Sequence, residues 1–556
     1  MQFSIVIPIF RPNISHLSEL IETILVQNYD LDNIEIIFVE DLFEKSFLEF
    51  IVSRFPKEFH LKTIKLSSHL GIAGASNYGA RMAQGEYLIF VDQDDLMAPN
   101  ALWYLDIFIQ SQTKQPVFVH SEYTNISNSG TQLETVRCPD WSPIRLLGSM
   151  YAAHLKVVLR SAFLEINGFN SAFDGAQDYD LLLRLSEVGE IANIKKVLYF
   201  WRESDTSSQS NPAAKPHIPA RSQQLVQDHL DRKGILARST VLMEHPTFLG
   251  LRFPASEASG VSIVIPSAFA NLPNGKIALL NVLSSLTQLS NQNIEIVCVV
   301  DSQQRALIEK IESQQYLNIR WVFHDMKTFN FSSAVNLGFE AAIHDVLITL
   351  NDDVEFLNDD WLDQVIGYLS MKDVGVVGAK MYYPDGTIQH IGIGIDSNNH
   401  CYHPMAGEKE SIGHLGEGLI DHEVDAVTGA FLATTRQHWN SVGRFNQWFP
   451  NNYNDVVFCM KTWALGKSVV IANSIQLIHH ESLTRLPQRT DLEIQKFTDF
   501  ANSLRIEKKR YTLTLETLPM TVGRHFWIKK IWLSIQYRGM VGFIKNSYRK
   551  LRYPND

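Results

Sequence analysis

The chain has 556 residues, of which 45% are hydrophobic and 20% are charged, and its formal net charge is −11. This composition excludes a disordered or fibrous protein, because it provides ample apolar material for packed cores, and the acidic balance disfavours nucleic acid as the main partner. The length predicts two large domains or about three to four smaller ones.

The cysteines and the chain start indicate a cytoplasmic protein. The four cysteines stand far apart with no CxxC pair, which favours a reducing compartment over a disulfide framework or a zinc ribbon. The initial run MQFSIVIPIF lacks the basic and then apolar pattern of a signal peptide. The sequence contains no run of about 18 apolar residues, the length that a membrane span needs, so no span is predicted.

The first half of the chain has the pattern of an α/β domain. SIVIPIF (4–10) and IEIIFVED (34–41) are short apolar runs rich in β-branched residues, which is typical of buried parallel strands. HLSELIETILVQ (16–27) lies between them with the apolar spacing of a helix. EYLIFVDQDD (86–95) predicts another strand, which ends in acids, and ALWYLDIFIQ (101–110) predicts the helix after it.

The chain then repeats this pattern. FSIVIP (3–8) returns as VSIVIP (261–266), and VDQD (91–94) returns as LNDD (350–353). Because further matches follow in the same order, we predict two copies of one mostly parallel α/β domain. The predicted boundaries are a first domain over 1–205, a linker with a helix over 206–257, a second domain over 258–490 and a helical, basic region over 491–556.

Acidic side chains follow the predicted strands at the same places in both copies. Parallel sheets bind ligands at the carboxyl ends of their strands, where the acids are Glu40, Asp41, Asp92, Asp94, Asp301 and Asp353. Clustered carboxylates raise each other's pKa unless a cation compensates, and Mg²⁺ or Mn²⁺ bound to a substrate phosphate is the natural compensator. The alternative is that the acids cap the next helix, but their recurrence in both copies favours the cation.

These motifs together resemble the tandem, inverting family 2 glycosyltransferases of GT-A fold that assemble bacterial O-antigen, capsule and rhamnan-type polysaccharides. In the first half the resemblance rests on SIVIPIF, DQDD, PDWSPIRLL, GAQDYDLLLRL and VLYFWRESDTSS. In the second half it rests on FNFSSAVNLG, LNDDVEFLNDDWL, VGVVGAKMYYPDGTIQHIG, VTGAFL, NDVVFC and HHES. It covers 1–205 and 258–490 and implies two Rossmann-like GT-A domains, followed by a helical basic tail.

The resemblance implies one Mg²⁺ or Mn²⁺ per domain at the DxD position. The implied ligands are Asp92 and Asp94 in the first half, and Asn351, Asp353, His479 and His480 in the second. A neutral imidazole beside Asp353 would partly compensate for the amide at Asn351. The alternative for the histidines is packing or support of the true ligands.

The resemblance also implies a general base at the start of a helix, at Asp178 and Asp455. A sugar hydroxyl is a poor nucleophile, so a carboxylate must take its proton during attack, and one direct displacement inverts the anomeric carbon. The alternative for both residues is a simple helix cap. Asp180 is a further candidate in the first half, but the second copy has Val457 there.

The donor is expected to be a UDP-, dTDP- or GDP-linked sugar. Its implied nucleotide contacts are Pro8, Phe10, Glu40, Asp41 and Asn77 in the first half, and Pro266, Asp301 and Asn336 in the second. Arg202 is expected to hold the diphosphate through bidentate hydrogen bonds, and Trp201 to stack on a sugar. A surface ion pair and a core tryptophan are the alternatives for these two residues.

The last segment is the sharpest change in composition. Residues 524–552 contain no acid, and their basic residues alternate with apolar and aromatic ones. This pattern predicts a helix on an anionic membrane surface, with contacts from Trp527, Lys529, Lys530, Trp532 and Arg538. Such docking, on the inner face of the cytoplasmic membrane, would bring the sites to a polyprenyl-linked or oligosaccharide acceptor and to other assembly enzymes. A helix packed on the second domain is the alternative.

We therefore expect a bifunctional, metal-dependent hexosyltransferase. In a close alternative only one half is catalytic and the other binds the acceptor. A nucleotidyltransferase would have a glycine-rich, basic phosphate loop after the first strand, and an NAD-dependent enzyme would have GxGxxG there; neither sequence is present. A non-catalytic carbohydrate-binding scaffold is disfavoured by the paired acids.

Overall fold

The computed structural model describes residues 1–42, 46–203, 216–255, 260–287, 293–312, 319–480 and 490–504. Within these residues the chain forms two large sheets in succession, each accompanied by helices. The predicted fold class, two tandem α/β domains, is confirmed.

The first domain contains a nine-stranded sheet within the described residues. Its strands are β1 (Phe3–Ile9), β2 (Ile34–Glu40), β3 (His60–Lys65), β4 (Tyr87–Phe90), β5 (Leu96–Met97), β6 (Phe118–Ile126), β7 (Gln132–Val136), β8 (Lys156–Leu159) and β9 (Ile191–Arg202). The helices of this domain are α1 (Ile14–Leu25), α2 (Leu48–Arg54), α3 (Gly71–Met82), α4 (Ala101–Ser111), α5 (Pro143–Gly148), α6 (Arg160–Glu165) and α7 (Gln177–Val188).

The strand order of the first sheet brings the end of β4 beside the start of β8. The sheet runs β3-β2-β1-β4-β8-β6-β9-β5, with β7 beside β6. The first four of these strands are parallel, and β8 is antiparallel to both of its neighbours. The start of β8 therefore lies beside the end of β4, because antiparallel neighbours run in opposite directions.

A helix and a strand pair connect the two domains. The segment contains α8 (Ile218–Lys233), β10 (Arg238–Val241) and β11 (Leu249–Arg252), and β10 and β11 form an antiparallel pair. Helix α8 ends at Gly234, whose φ of 65° suits a residue without a side chain. The helix expected in the linker is thus present within the described residues.

The second domain contains a ten-stranded sheet within the described residues. Its strands, with those of one small separate pair, are β12 (Val261–Ser267), β13 (Ile294–Asp301), β14 (Ile319–His324), β15 (Val346–Leu350), β16 (Val354–Phe356), β17 (Val374–Tyr382), β18 (Ile388–His390), β19 (Gly394–Ile395), β20 (Cys401–Tyr402), β21 (His422–Glu423), β22 (Phe431–Thr435) and β23 (Ser468–His479). The helices are α9 (Ala278–Thr287), α10 (Arg305–Glu312), α11 (Phe331–Ala341), α12 (Trp361–Ser370), α13 (Arg436–Ser441), α14 (Asn454–Ala464) and α15 (Asp491–Ser503).

The second sheet repeats the strand order of the first. It runs β14-β13-β12-β15-β22-β17-β23-β16, so β12 corresponds to β1, β15 to β4, β22 to β8, β23 to β9 and β16 to β5. In both copies a glycine lets a helix approach the sheet closely. A Cβ at Gly79 would lie 2.6 Å from Val6, and one at Gly338 would lie 2.2 Å from Val264. The sequence repeat is therefore a repeat of structure.

The two domains meet at a buried carboxylate. Glu423 of β21 is fully buried and accepts hydrogen bonds from the Ser142 hydroxyl and from the backbone N–H groups of Ile144 (2.9 Å) and Arg145 (3.4 Å). Burial raises the pKa of Glu423, and these hydrogen bonds oppose that rise. A side chain of the second domain thus caps helix α5 of the first.

Candidate active site

The strand ends of the first domain form a cleft of about 260 Å³. It is lined by Pro8 and Phe10 after β1, by Asp41 after β2, and by Asp92 and Asp94 after β4. The structure therefore brings three of the predicted nucleotide contacts and both of the predicted metal ligands of this domain to one place.

Hydrogen bonds fix the two walls of this cleft. The Gln93 amide accepts from the N–H of Phe10 (3.0 Å) and donates to its carbonyl oxygen (2.9 Å). Across the cleft, Asp41 accepts the N–H groups of Leu70 (2.8 Å) and Gly71 (2.9 Å) at the start of α3. His69 Nδ1 lies 2.7 Å from Asp41 Oδ2, and its ring lies 4.7 Å from the Phe10 ring between centroids. These bonds hold the residues of the cleft in place.

Glu40 has a different environment from Asp41. It is buried, and its carboxylate accepts hydrogen bonds from the Ser46 hydroxyl (2.8 Å) and the Phe47 N–H (2.6 Å) at the start of α2. Its carboxylate is therefore bound by backbone and side chain of its own domain, and its nucleotide contact stays a prediction.

A buried lysine lies against the acids of the first cleft. Lys156 begins β8, opposite Phe90 of β4, and its Nζ lies 3.5 Å from Asp92 Oδ2. Burial lowers the pKa of the Lys156 ammonium, but the negative charges of Asp92, Asp178 and Asp95 outweigh this effect and raise it above its ordinary value. The Lys156 ammonium thus offsets the negative charge of Asp92, the predicted metal ligand, and also interacts electrostatically with Asp178, the predicted base.

Asp95 belongs to the fold rather than to the cleft surface. It is fully buried and accepts hydrogen bonds from the Tyr199 hydroxyl (2.7 Å) and the Arg202 N–H (2.7 Å). Burial, with the charges of Asp94 and Asp92, raises the pKa of Asp95 well above its usual range. Burial, followed by the charge of Asp92, also raises the pKa of Asp94. A positive charge at this site would therefore stabilise the ionised carboxylates.

The Arg202 guanidinium is used inside the domain. It donates to the carbonyl oxygens of Asp94 (2.7 Å), Ser127 (3.2 Å) and Asn128 (2.9 Å), and it pairs with Glu19 at 2.6 Å. These bonds hold the acidic loop, because the end of β9 lies directly beside it. The diphosphate contact of Arg202 stays a prediction.

Trp201 packs against other aromatic rings. Its ring lies 5.1 Å from that of His154 and 6.2 Å from that of Tyr123 between centroids. The packed-tryptophan alternative therefore describes its contacts better than an open sugar platform does.

One further set of side chains meets around Asp92 in the described part of the chain. Ligand atoms of Asp92, Asp95 and His154 all lie within 4.8 Å of one another. Burial, with the charge of Lys156, lowers the pKa of His154 well below its ordinary value, which keeps the imidazole neutral. However, both Asp95 oxygens already accept hydrogen bonds and Asp92 faces Lys156. This set fits a charge-compensated network better than a divalent cation.

In the second domain, Asp353 and Asn351 lie beside a histidine at the end of β23. His479 Nε2 lies 3.2 Å from Asp353 Oδ1 and 3.2 Å from Asn351 Nδ2. His479 Nδ1 lies 2.8 Å from Gln389 Oε1, while Gln389 Nε2 donates to the His479 carbonyl oxygen at 3.3 Å. This assigned amide orientation places a proton on Nδ1 and leaves Nε2 beside both Asp353 and Asn351.

Asp353 fits a bound cation. Its Oδ1 is buried and accepts no hydrogen bond from the residues that the structure describes, although His479 Nε2 is close. A buried carboxylate oxygen without a hydrogen-bond donor is stabilised by a positive ion, and imidazole nitrogen with carboxylate oxygen is a suitable donor set for Mn²⁺ or Mg²⁺.

His480 does not share this position. Its Nε2 lies 3.0 Å from Glu355 Oε1, and Glu355 Oε1 also accepts from Asn281. Successive residues of an extended chain point to opposite sides, so only one of two adjacent histidines can reach Asp353. The structure brings His479 to the predicted metal site and directs His480 elsewhere.

Asp178 and Asp455 both lie in the first turn of a helix, α7 and α14 respectively, and both are partly exposed. Asp455 Oδ2 accepts the N–H of Gly429 at 2.8 Å, and the N–H of Asn351 donates to the carbonyl oxygen of Ala430 at 2.9 Å. Residues 429–430 therefore connect the predicted base to the predicted metal site. The catalytic role of both aspartates stays a prediction.

Two asparagines predicted to contact nucleotide instead stabilise the frame. The Asn77 amide donates to the Phe169 carbonyl oxygen (2.8 Å) and accepts the Phe169 N–H (2.9 Å). Asn336 makes the corresponding pair with Phe445, at 2.8 and 3.1 Å. Both functional groups of each amide are used in this way, so the repeated Asn is explained by the fold.

The remaining two predicted nucleotide contacts of the second domain lie at the carboxyl ends of two neighbouring strands. Pro266 is a buried residue of β12, opposite Val299 of β13. Asp301 ends β13 and accepts the N–H of Gln303 at 2.9 Å. A nucleotide role for either residue stays a prediction.

A sequence comparison decides the family. The sequence model described as "Glycosyl transferase family 2" matches residues 4–123 and 262–470, which together make up more than half of the chain. The matched segments fall on the two sheets. The chain belongs to glycosyl transferase family 2. The family resemblance predicted from the motifs is therefore confirmed.

Two curated relatives extend the comparison of this family 2 chain. It is 28% identical over 496 residues to "Uncharacterized protein y4gI" of Sinorhizobium fredii, covering 87% of this chain and 53% of that protein. It is 28% identical over 443 residues to "O-antigen biosynthesis protein RfbC" of Myxococcus xanthus, covering 77% of this chain and 33% of that protein. The chain thus spans about half or less of the length of these relatives.

Among solved structures, TarS of S. aureus in complex with UDP is similar to the family 2 chain at 19% identity and a TM-score of 0.33. The match covers 42% of this chain and 71% of that one.

Two sequence predictions concern the membrane. No helix in the described ranges is both long and apolar enough to cross a bilayer. The predicted membrane contacts Trp527, Lys529, Lys530, Trp532 and Arg538 lie outside the described residues.

Sequence reasoning on the family 2 chain missed Lys156, His154 and Tyr199. They lie on or beside β8 and β9, far along the chain from Asp92. Tyr199 lies within the motif VLYFWRESDTSS, but no local motif marks Lys156 or His154. Only a comparison of the two copies, strand by strand, could have drawn attention to Lys156, because the corresponding position in the second copy is apolar.

Proposed function

We propose that the chain is an inverting glycosyltransferase that transfers sugars from nucleotide-sugar donors to a growing bacterial polysaccharide, with one transfer centre in each domain. Family 2 membership supports this proposal, as does the similarity to a protein named for O-antigen biosynthesis. The donor is a UDP-, dTDP- or GDP-linked sugar. The acceptor is a polyprenyl-linked or oligosaccharide chain, and the basic composition of 524–552 supports peripheral attachment to an anionic membrane surface.

The observation that carries the proposal is the connection in the second domain between Asp455 and the Asn351–Asp353–His479 group. Asp455 binds the N–H of Gly429, and the next residue, Ala430, accepts the N–H of Asn351. A reacting sugar placed between the two groups would meet a proton acceptor on one side and a charge-compensating site on the other.

The proposed mechanism assigns separate tasks to these residues. Asp455 accepts the proton of the acceptor hydroxyl as its oxygen attacks the anomeric carbon, and the nucleoside diphosphate leaves on the opposite side, which inverts that carbon. A divalent cation held by Asp353 and His479, with Asn351 beside them, would neutralise the negative charge of the leaving diphosphate. Gln389 holds His479 Nε2 beside Asp353 through its hydrogen bond to Nδ1.

The first domain offers the same parts in a different charge environment. Asp92 and Asp94 line the cleft, and Asp178 occupies the position of the base. The alternative, in which this domain binds acceptor without transferring sugar, is distinguished by the Asp178 and Asp455 variants discussed below.

The full-length chain tests the proposal directly. We expect a UDP-, GDP- or dTDP-sugar, added with Mn²⁺, to raise the melting temperature, and EDTA to abolish the part of this rise that depends on the second domain. The stabilising donor should then be consumed in the presence of a lipid-linked or oligosaccharide acceptor, with release of nucleoside diphosphate. If no sugar nucleotide stabilises the chain and none is consumed, the proposal is wrong.

A further inference from the structure

The two clefts share one frame but differ at a position beside the acidic motif. In the first sheet, Lys156 of β8 lies opposite Phe90 of β4. In the second sheet, the corresponding strand places Leu432 opposite Thr349. Lys156 and Leu432 are also separated by as many residues as Phe169 and Phe445, which make the same contacts in the two copies. The first copy therefore has an ammonium where the second has an aliphatic side chain.

At a second position it is the second copy that has the polar side chain and the first copy that does not. In the second sheet, Glu355 of β16 lies opposite Ile478, and His479 comes next. In the first sheet, Leu96 of β5 lies opposite Phe200, and Trp201 comes next. An imidazole that faces the acids of the second cleft is thus replaced in the first by an indole, which has no lone pair for a metal ion.

These two replacements are complementary. The first copy has no histidine at the position of His479, although His154 lies beside Asp92 and Asp95, and it has a buried ammonium 3.5 Å from Asp92 Oδ2. The second copy has the histidine and lacks the ammonium. In each copy one positive partner is available to the acids, but it differs in kind.

We propose that the Lys156 ammonium is the fixed cation of the first cleft. It offsets the negative charge of the acids there, as a divalent ion does in the second cleft. The chain therefore binds one divalent cation and not two. This inference rests on the proposed function, because it assigns the single ion to the second cleft. It differs from the expectation of one ion per domain that the family resemblance implies.

The physical basis is repulsion in a poorly solvated site. The Lys156 side chain is only 7% exposed, so its charge is weakly screened by solvent. A divalent ion bound to Asp92 would lie within a few ångströms of this ammonium. Two positive charges at that separation should weaken divalent binding by a factor on the order of 100 or more. Lys156 is thus a positioning residue, which fixes the charge of Asp92 without contact to the substrate.

The test is the number of Mn²⁺ ions bound by the full-length chain, measured from the electron paramagnetic resonance signal of free Mn²⁺ during titration. We expect one ion for the wild-type protein. Lys156→Met keeps the length of the side chain but removes its charge, and it should add a second site. Lys156→Arg keeps the charge and should bind one ion, and K156M combined with D92N should lose the added site. Two ions on the wild type, or no added site in K156M, would overturn the inference.

The K156M variant leaves Asp92 and Asp95 without their counter-charge and could fold poorly. Thermal melting then provides the second measurement. Mn²⁺ should raise the melting temperature of K156M by several degrees more than that of the wild type, because the ion replaces the lost charge. An equal rise in both proteins would contradict the inference.

Failure of this inference is distinguishable from failure of the proposed function. Asp353→Asn should abolish the single wild-type site. If D353N loses its ion but K156M gains none, the second-cleft assignment stands and the role of Lys156 is wrong. If D353N keeps its ion, the second-cleft assignment is wrong and the inference fails with it.

Discussion

His479 Nε2 lies 3.2 Å from Asp353 Oδ1, while Nδ1 of the same ring lies 2.8 Å from Gln389 Oε1. The ring is held between the Gln389 amide oxygen, which accepts the Nδ1 proton, and the Asp353 carboxylate and Asn351 amide beside Nε2. The relationship therefore identifies Gln389 as the residue that orients the histidine.

The first prediction concerns this orientation. Gln389→Leu removes the hydrogen bond to Nδ1, so the ring can rotate and its other tautomer becomes accessible. We expect Mn²⁺ affinity to fall by about 10- to 100-fold, the usual effect of losing a group that supports a metal ligand. His479→Ala should lower the affinity at least as much. Titration of the full-length chain with Mn²⁺ measures both effects.

The adjacent histidine provides a matched control for this prediction. His480 lies against Glu355 and does not face Asp353. His480→Gln should therefore leave Mn²⁺ affinity within about twofold of the wild type. If H480Q weakens binding as much as H479A does, the assignment of the two histidines is wrong.

The second prediction concerns the two candidate bases. Asp455→Asn keeps the shape of the side chain and can still accept the Gly429 N–H, but it cannot take a proton from a hydroxyl. We expect kcat for the reaction of the second domain to fall by about 10²- to 10⁴-fold, with little change in melting temperature. Asp178→Asn should have the same effect on a reaction of the first domain.

The two variants also separate one active centre from two. If each variant abolishes a different sugar transfer, both domains are catalytic. If D178N leaves every measured transfer unchanged while D455N abolishes it, the first domain is the acceptor-binding partner. Wild-type rates for both variants would exclude both aspartates as bases.

The sequence was sufficient to predict the repeat and the cleft, for a physical reason. Buried parallel strands have conspicuous apolar patterns, and the residues just after them meet at one edge of the sheet. Asp92 and Asp94 could therefore be placed at the ligand-binding edge of the first sheet, and Asp353 at that of the second. Asn77 and Asn336 show the limit of this reasoning. Their repetition indicates a shared constraint, but the constraint is a hydrogen-bonded pair with Phe169 or Phe445 inside each domain.

Lys156 shows a different limit. It reaches Asp92 because β8 runs antiparallel to β4, and such a pairing between distant segments leaves no local pattern in the sequence. Arg202 illustrates the same point, because its motif implied a diphosphate contact, while its guanidinium binds the neighbouring loops. Which of two adjacent histidines meets the acids also depends on the course of β23 at its end.

The third prediction concerns the contact between domains. Glu423→Gln replaces one acceptor oxygen by an amide that faces the donors of Ser142, Ile144 and Arg145. A buried donor is then left without an acceptor, which costs about 1–3 kcal/mol. We expect the midpoint of urea unfolding to fall accordingly. The exposed Glu408→Gln is the control and should change stability by less than about 0.5 kcal/mol; equal effects of the two variants would contradict the capping role of Glu423.

The fourth prediction concerns pH. Burial, followed by the charge of Asp353, raises the pKa of Asp352 to about 6, although a hydrogen bond from Ser267 opposes the rise. In the unfolded chain the pKa of an aspartate is about 3.9. Between about pH 4 and pH 6 the folded state therefore holds a proton that the unfolded state has released.

The free energy of unfolding should consequently fall as the pH rises through this window, by at most about 3 kcal/mol, and level off above it. Asp352→Asn removes this dependence, and the first copy already has an uncharged amide, Gln93, at the corresponding position. Above pH 6 the variant should therefore be more stable than the wild type, whereas below pH 4 the two should converge. Urea unfolding in EDTA between pH 4 and pH 7 measures the difference, with the exposed Asp359→Asn expected to follow the wild type. A difference between D352N and wild type that stays constant over this range would show that Asp352 is already ionised in the folded chain near pH 4.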